Sequence, residues 1–176
     1  MKVITAINEY QRKLNDIFVF LGGGITNCEE WQDIVIEKLK KEDDHLIIFN
    51  PRRKNFPIDN PNASLEQIKW EFDYLEQCDI FSMYFDGTSK SDQPICFYEL
   101  GRNIERMKKK FSKNWFNRII ISVDSNFRRY SDVIIQTLLA TDSKINPTTA
   151  NNIELLTSLH ANNISLSYEK YKKDIK

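Results

Sequence analysis

The chain has 176 residues, enough for one domain to bury most of its apolar surface without disulfides or metals. Lysine plus arginine and aspartate plus glutamate both total 25, which excludes the basic excess of a dedicated DNA- or RNA-binding protein. His45, His160 and the scattered Cys28, Cys78 and Cys96 have no zinc-type spacing, so reduced thiols are expected, with no metal site and no histidine-centred triad. No stretch approaches the ~20 apolar residues of a membrane span. Lys2, Glu9, Arg12 and Lys13 exclude a signal peptide, and a cytoplasmic protein is expected.

The chain reads as a single domain, 1–176, with a flexible N-terminal extension at 1–15. Residues 17–21, β-branched and aromatic, predict a buried strand that enters a tight loop at Gly22-Gly23-Gly24. Thr26 or Asn27 is expected to cap a helix, with Glu29 and Glu30 in its first turn and Trp31, Ile34, Val35 and Leu39 at helical spacing. Residues 46–49 read as a second buried strand, ended by Asn50-Pro51. The Pro-, Asn- and Arg-rich loop 50–63 is longer than usual, the mark of a functional or mobile segment. Ser64 and Gln67 have capping-box spacing, ahead of a helix with Leu65, Ile68, Phe72 and Leu75 on one face.

Residues 79–85 predict a third strand and Asp86-Gly87 a loop, and a helix follows over 94–110. Residues 118–123 are a fourth strand, and 127–140 and 149–163 are two more helical patterns, with a short extended piece near Ile145. The lysine-rich tail 168–176 reads as polar, either disordered or reaching a neighbour. Strands alternating with helices imply a parallel sheet covered on both faces, with ligands bound beyond the carboxyl ends of the strands. That rule gathers the loops 22–27, 50–63 and 86–93 with Glu99 at one rim.

Several side chains at this rim have two readings. Gly22, Gly23 and Gly24 form either a tight turn or a surface for close approach of a ligand. They are not a dinucleotide fingerprint, which would need glycine at Asn27, and no Gly-Lys-Ser/Thr makes a P-loop. Arg52 and Arg53, directly after Asn50-Pro51, read as solvated charges or as a clamp for phosphate or carboxylate. Trp70 has the spacing of a core aromatic. Glu99 lies in an apolar run, where an acid must be desolvated, paired or used. It is either a helix acid within reach of Arg102 or a nucleophile or acid/base group.

Phe20-Leu-Gly-Gly-Gly-Ile-Thr26, Trp31-Gln32, Asn50-Pro-Arg-Arg53, Gln67-Ile-Lys-Trp-Glu71, Asp79-Ile80 and Pro94-Ile-Cys-Phe-Tyr-Glu-Leu-Gly101 occur in this order over 17–101. In these motifs the chain resembles the nucleoside 2-deoxyribosyltransferases, with a fainter likeness at 129–136. The resemblance implies a flavodoxin-like, doubly wound α/β fold of about five parallel strands with helices on both faces. It also implies transfer of 2-deoxyribose between nucleobases through a covalent glycosyl-glutamate, with retention and without metal or organic cofactor.

By the same resemblance Glu99 is the nucleophile and Glu71, usually aspartate in relatives, handles the base. The family's sugar-orienting acid falls at Gln93, a departure, with Asp92 adjacent. Gly22, Gly23, Gly24, Thr26, Asn50, Arg52, Arg53, Trp70 and Gln93 complete the substrate-binding set. The implied partners are deoxynucleosides or deoxynucleotides, free nucleobases and further copies of the chain, with no nucleic-acid polymer or membrane. Two alternatives use the same pocket. One is an N-glycosidase acting on deoxynucleosides or their 5′-monophosphates, with Arg52 and Arg53 at the phosphate. The other is a nucleotide-binding module without catalysis.

Overall fold

A computed structural model describes residues 1–57 and 59–175. The strands are β1 (Lys2–Thr5), β2 (Ile17–Gly23), β3 (Leu46–Asn50), β4 (Ile80–Phe85), β5 (Ile119–Asp124) and β6 (Thr148–Ala150). Between and after them run α1 (Trp31–Leu39), α2 (Ala63–Gln77), α3 (Pro94–Phe111), α4 (Tyr130–Ala140) and α5 (Ile153–Ile175). All pairings are parallel, in the order β1-β3-β2-β4-β5-β6. The chain leaves β2 toward one edge and returns past it toward the other, so strand order reverses between β2 and β4. This is the expected doubly wound, flavodoxin-like sheet, with six strands rather than about five.

Alternation along each strand divides the core in two, because successive side chains point to opposite faces. Phe18, Phe20, Ile47, Phe49, Phe81 and Met83 meet Trp70 and Tyr74 of α2 and Leu100 and Ile104 of α3. Ile17, Val19, Leu21, Ile48 and Tyr84 meet Trp31 and Val35 of α1 and Leu156 and Ile164 of α5.

Within residues 1–15, β1 pairs with β3, and Arg12 donates to Asp79 Oδ2 at 2.8 Å while its guanidinium lies over the Phe18 ring. The tail continues α5, with Tyr168 buried and its hydroxyl and the Lys172 amine both on Asp43; residue 176 lies outside the described residues. Neither sequence-predicted cap forms. α1 starts at Trp31, beyond Thr26 and Asn27, and α2 has Asn62 at its N-cap without a side-chain bond. On α2 only Leu75 of the expected stripe is buried, whereas Leu65, Ile68 and Phe72 are exposed and Trp70 and Tyr74 face the sheet. The helix has two apolar stripes, and the one with the larger aromatic rings removes more area from water. The extended piece expected near Ile145 is β6, at Thr148–Ala150.

His160 of α5 is fully buried against the face of β4 and β5. Its Nε2 lies 2.9 Å from Ser82 Oγ and its Nδ1 2.7 Å from Ser122 Oγ, and its ring stands edge-on to Trp31 and Tyr84. Burial pulls its pKa down to about 3. The unfolded chain takes up a proton below about pH 6.5 that the folded chain refuses. This contribution to stability is complete above that pH and declines by roughly 1.4 kcal/mol per unit toward pH 3. Urea denaturation at about pH 7.5 and about pH 5 should therefore show a steeper acid loss for the wild type than for His160→Gln; equal losses would show that His160 protonates freely in the fold.

Candidate active site

The C-terminal end of β2 runs directly into the side of its neighbours. At Gly23, whose φ is +149°, a Cβ would sit 2.4 Å from the Tyr84 carbonyl oxygen and 2.7 Å from the Trp31 ring. At Gly24 it would meet Cys28 Sγ at 2.5 Å and Gln93 Oε1 at 2.7 Å. The glycines are therefore required by packing, and the bare backbone they leave forms one side of a cavity of about 220 Å³.

The loop from Gly24 to Glu30 is held from both sides. Arg52 Nε donates to Gln32 Oε1 at 2.8 Å, and its NH2 group faces the carbonyls of Glu29, Cys28 and Gly24 at 2.8, 3.4 and 3.5 Å. The Arg52 amide donates to Asn50 Oδ1 at 3.0 Å. Just after β4, Asp86 Oδ2 accepts the Glu29 amide at 2.7 Å, and from α1 Trp31 Nε1 donates to the Gly24 carbonyl at 3.0 Å. These ties do the work that a side-chain cap at Thr26 would have done.

α2 and α3 bring the two glutamates. Gln67 Nε2 donates to Glu71 Oε1 and to the Pro51 carbonyl, both at 2.7 Å, and so fastens Glu71 to the loop after β3. This is what becomes of the expected capping-box glutamine. α3 begins at Pro94 after Gln93, which adopts a left-handed conformation at φ 48°. Buried Gln93 donates from Nε2 to the Asp86 carbonyl at 2.8 Å, closing the β4–α3 loop back onto its own strand.

Glu71 and Glu99 open onto the same cavity as Gly22, Gly23, Gly24, Thr26 and Gln93. The other sequence-predicted residues lie outside it. Asp92 turns to the opposite side of α3, 3.5 Å from Arg128 Nε and 3.9 Å from Arg129 Nε. Trp70 is core, with Nε1 donating to the Asn8 carbonyl at 2.7 Å, and Arg53 lies beside the Phe56 ring. Asn50 and Arg52 brace the loop from behind. Cys28, Pro51, Ser91 and Cys96 line the cavity without having been singled out from the sequence. Of these Cys96 was legible, since it stands one helical turn before Glu99 on the same face.

Burial pushes Glu99 up to about 7, the charge of Glu71 adds to the shift and Arg102 opposes it. Glu71 is raised by burial as well, against the hydrogen bond from Gln67. Burial, with the Asp86 charge, lifts the Cys28 thiol to about 11 and keeps it protonated, so the carboxylates are the groups that titrate here. Because Glu71 is one cause of the Glu99 shift, Glu71→Gln should lower the Glu99 midpoint below 7 by carboxyl carbon-13 NMR. An unmoved midpoint would show that the two charges do not interact.

The family model described as "Nucleoside 2-deoxyribosyltransferase like" matches residues 16–113, which contain every cavity residue named above. No curated protein matches the chain. The sheet, its switch-point cavity and this match agree. The chain belongs to the nucleoside 2-deoxyribosyltransferase-like family.

Proposed function

We propose that the protein moves 2-deoxyribose between nucleobases, with Glu99 as nucleophile and Glu71 serving the departing and incoming base. The observation that carries this reading is the pair of half-buried carboxyl groups, both raised by burial, on one small cavity beside bare glycine backbone. A Glu99 carboxylate oxygen attacks the anomeric carbon as the bond from that carbon to the base nitrogen breaks. The Glu71 carboxyl gives its proton to the leaving base. A ring nitrogen of a second base then attacks the same carbon and the ester bond to Glu99 breaks. The surplus N–H proton returns to Glu71, and two inversions give retention.

The substrate we propose is an uncharged deoxynucleoside. Among the described residues the cavity lining includes no lysine or arginine, and Arg52 is occupied with loop carbonyls. This weighs against the 5′-monophosphate form of the N-glycosidase alternative. With water as acceptor the same residues would release free sugar. Incubation with and without added base separates the two, since transfer needs the base.

Glu99→Gln should abolish exchange. The carboxylate's raised pKa means its ionisation costs stability: the neutral form's contribution is intact below about 4.5 and lost as pH rises through about 7. Glu99→Gln should thus be more stable than the wild type at about pH 8, by on the order of 2 kcal/mol, and no more stable near pH 4.5. Full turnover in a folded variant would remove Glu99 from the chemistry.

Self-association belongs to the same reading. Leu65, Ile68 and Phe72 of α2 and Ile95 and Tyr98 of α3 are all more than half exposed. The two stripes adjoin where the Arg102 guanidinium lies 4.2 Å from the Phe72 ring centre, and Ile95 also lines the cavity. An apolar patch of this kind marks an interface. Ile68→Glu is expected to convert an oligomer to monomer in sedimentation with unchanged circular dichroism; a wild type that sediments as monomer at every concentration reached contradicts the assignment.

A further inference from the structure

A 2-deoxyribosyl group carries two hydroxyls, at C3′ and C5′, and each one taken out of water needs a hydrogen-bond partner. In the exchange proposed above, Glu99 and Glu71 are committed to the anomeric carbon and the base. Most other polar groups on the cavity are already engaged. Gln93 turns its amide to the backbone of Asp86, with Nε2 2.8 Å from the carbonyl oxygen and Oε1 3.5 Å from the amide nitrogen. Cys28 Sγ donates to the Thr26 carbonyl at 3.5 Å, and Cys96 Sγ lies 4.0 Å from Gln93 Oε1. The Gly24 carbonyl is taken by Trp31 and Arg52. The hydroxyls of Ser91 and Thr26 remain.

Of these two, the fold fixes Ser91. Its Oγ accepts the Gln93 amide at 3.1 Å, and its own amide donates to Oγ of buried Ser89 at 3.1 Å. Arg128 NH1 holds the preceding Lys90 carbonyl at 2.9 Å. Gln93 is the left-handed residue from which α3 starts, so its amide sets Ser91 at a fixed distance from the helix that carries Glu99. A serine hydroxyl has one proton and two lone pairs. One lone pair is spent on Gln93, and among the described residues the proton goes to no protein acceptor. The proton and the second lone pair are left for the cavity. Thr26 is exposed, and among the described residues no hydrogen bond holds its side chain.

We propose that Ser91 is a specificity residue, whose Oγ hydrogen-bonds one hydroxyl of the 2-deoxyribose and so turns the anomeric carbon toward Glu99. The assignment rests on the deoxyribosyl-transfer reading. It selects sugars that carry this hydroxyl over sugars that lack it.

Calorimetry in the Glu99→Gln background, where no bond breaks, measures affinity without turnover. The probes are 2′-deoxyadenosine with its 2′,3′- and 2′,5′-dideoxy forms, and thymidine with its 3′- and 5′-deoxy forms. Adding Ser91→Ala should weaken the parent nucleoside about 3- to 10-fold. The form lacking the bonded hydroxyl should change less than about 2-fold, while the other form weakens like the parent. Which form is spared tells the 3′ from the 5′ hydroxyl. Ser91→Thr keeps the hydroxyl and should retain the wild-type order of affinities. Equal weakening of all three forms would show a disturbed loop and overturn the proposal. Unchanged affinity in Ser91→Ala would overturn it too, as would no saturable heat from any probe at about 1 mM. Turnover of the wild type with added base tests the reaction separately. An inactive wild type with the Ser91 pattern intact sinks the exchange and leaves the contact; an active one without the pattern sinks the contact alone.

Discussion

At the end of β2 the backbone passes so close to Tyr84, Trp31 and Gln93 that no side chain fits at Gly23 or Gly24. The rest of the cavity depends on this contact. It lets β4 continue alongside β2 to the switch point, where the chain turns away to both edges of the sheet. It brings the Gly24 carbonyl within reach of Trp31 and Arg52, which hold the following loop open. It also places Gln93, and with it the start of α3, against the glycine backbone, and α3 carries Glu99 into the space that remains.

The electrostatics of that space are one-sided. Two carboxyl groups face it, and Arg52 spends its donors on Gln32 and the carbonyls of the loop after β2. Burial raises both carboxyl groups, and at Glu99 the charge of Glu71 adds to it while Arg102 opposes it. Gln93 fits this balance. A third acid at the position of its side chain would stand beside the Asp86 carbonyl oxygen, where the amide now donates, and would exchange a hydrogen bond for a repulsion.

Much of this was legible in the residues. The runs at 17–21, 46–49, 79–85 and 118–123 are long, apolar and β-branched, and each is a strand of the sheet. Glu99 was conspicuous because a carboxylate in an apolar run needs a reason. Other features were hidden. β1 is four residues long and partly exposed, so its membership depends on pairing with β3, which local sequence does not encode. α2 carries two apolar stripes, and the sheet accepts the one with the larger rings. Asp92 and Gln93 are adjacent, yet the left-handed turn at Gln93 sends them to opposite sides of α3. Arg52 looked like a ligand for anions because chain position alone does not show which carbonyls surround a guanidinium.

The placement of α5 has a kinetic consequence. One whole face of the sheet, including Tyr84 and Ile120, is covered by α1 together with Leu156, Ala161, Ile164 and Tyr168. His160 reaches back 78 residues to Ser82 and 38 to Ser122. During synthesis the strands of that face emerge and pair well before the helix that shields them. Until α5 leaves the ribosome the nascent sheet presents an apolar flank and two unmatched serines, a state prone to misassociation. Folding of this domain is thus biased toward a late, all-at-once closure of its second layer, at the slower rate expected for contacts so distant in sequence.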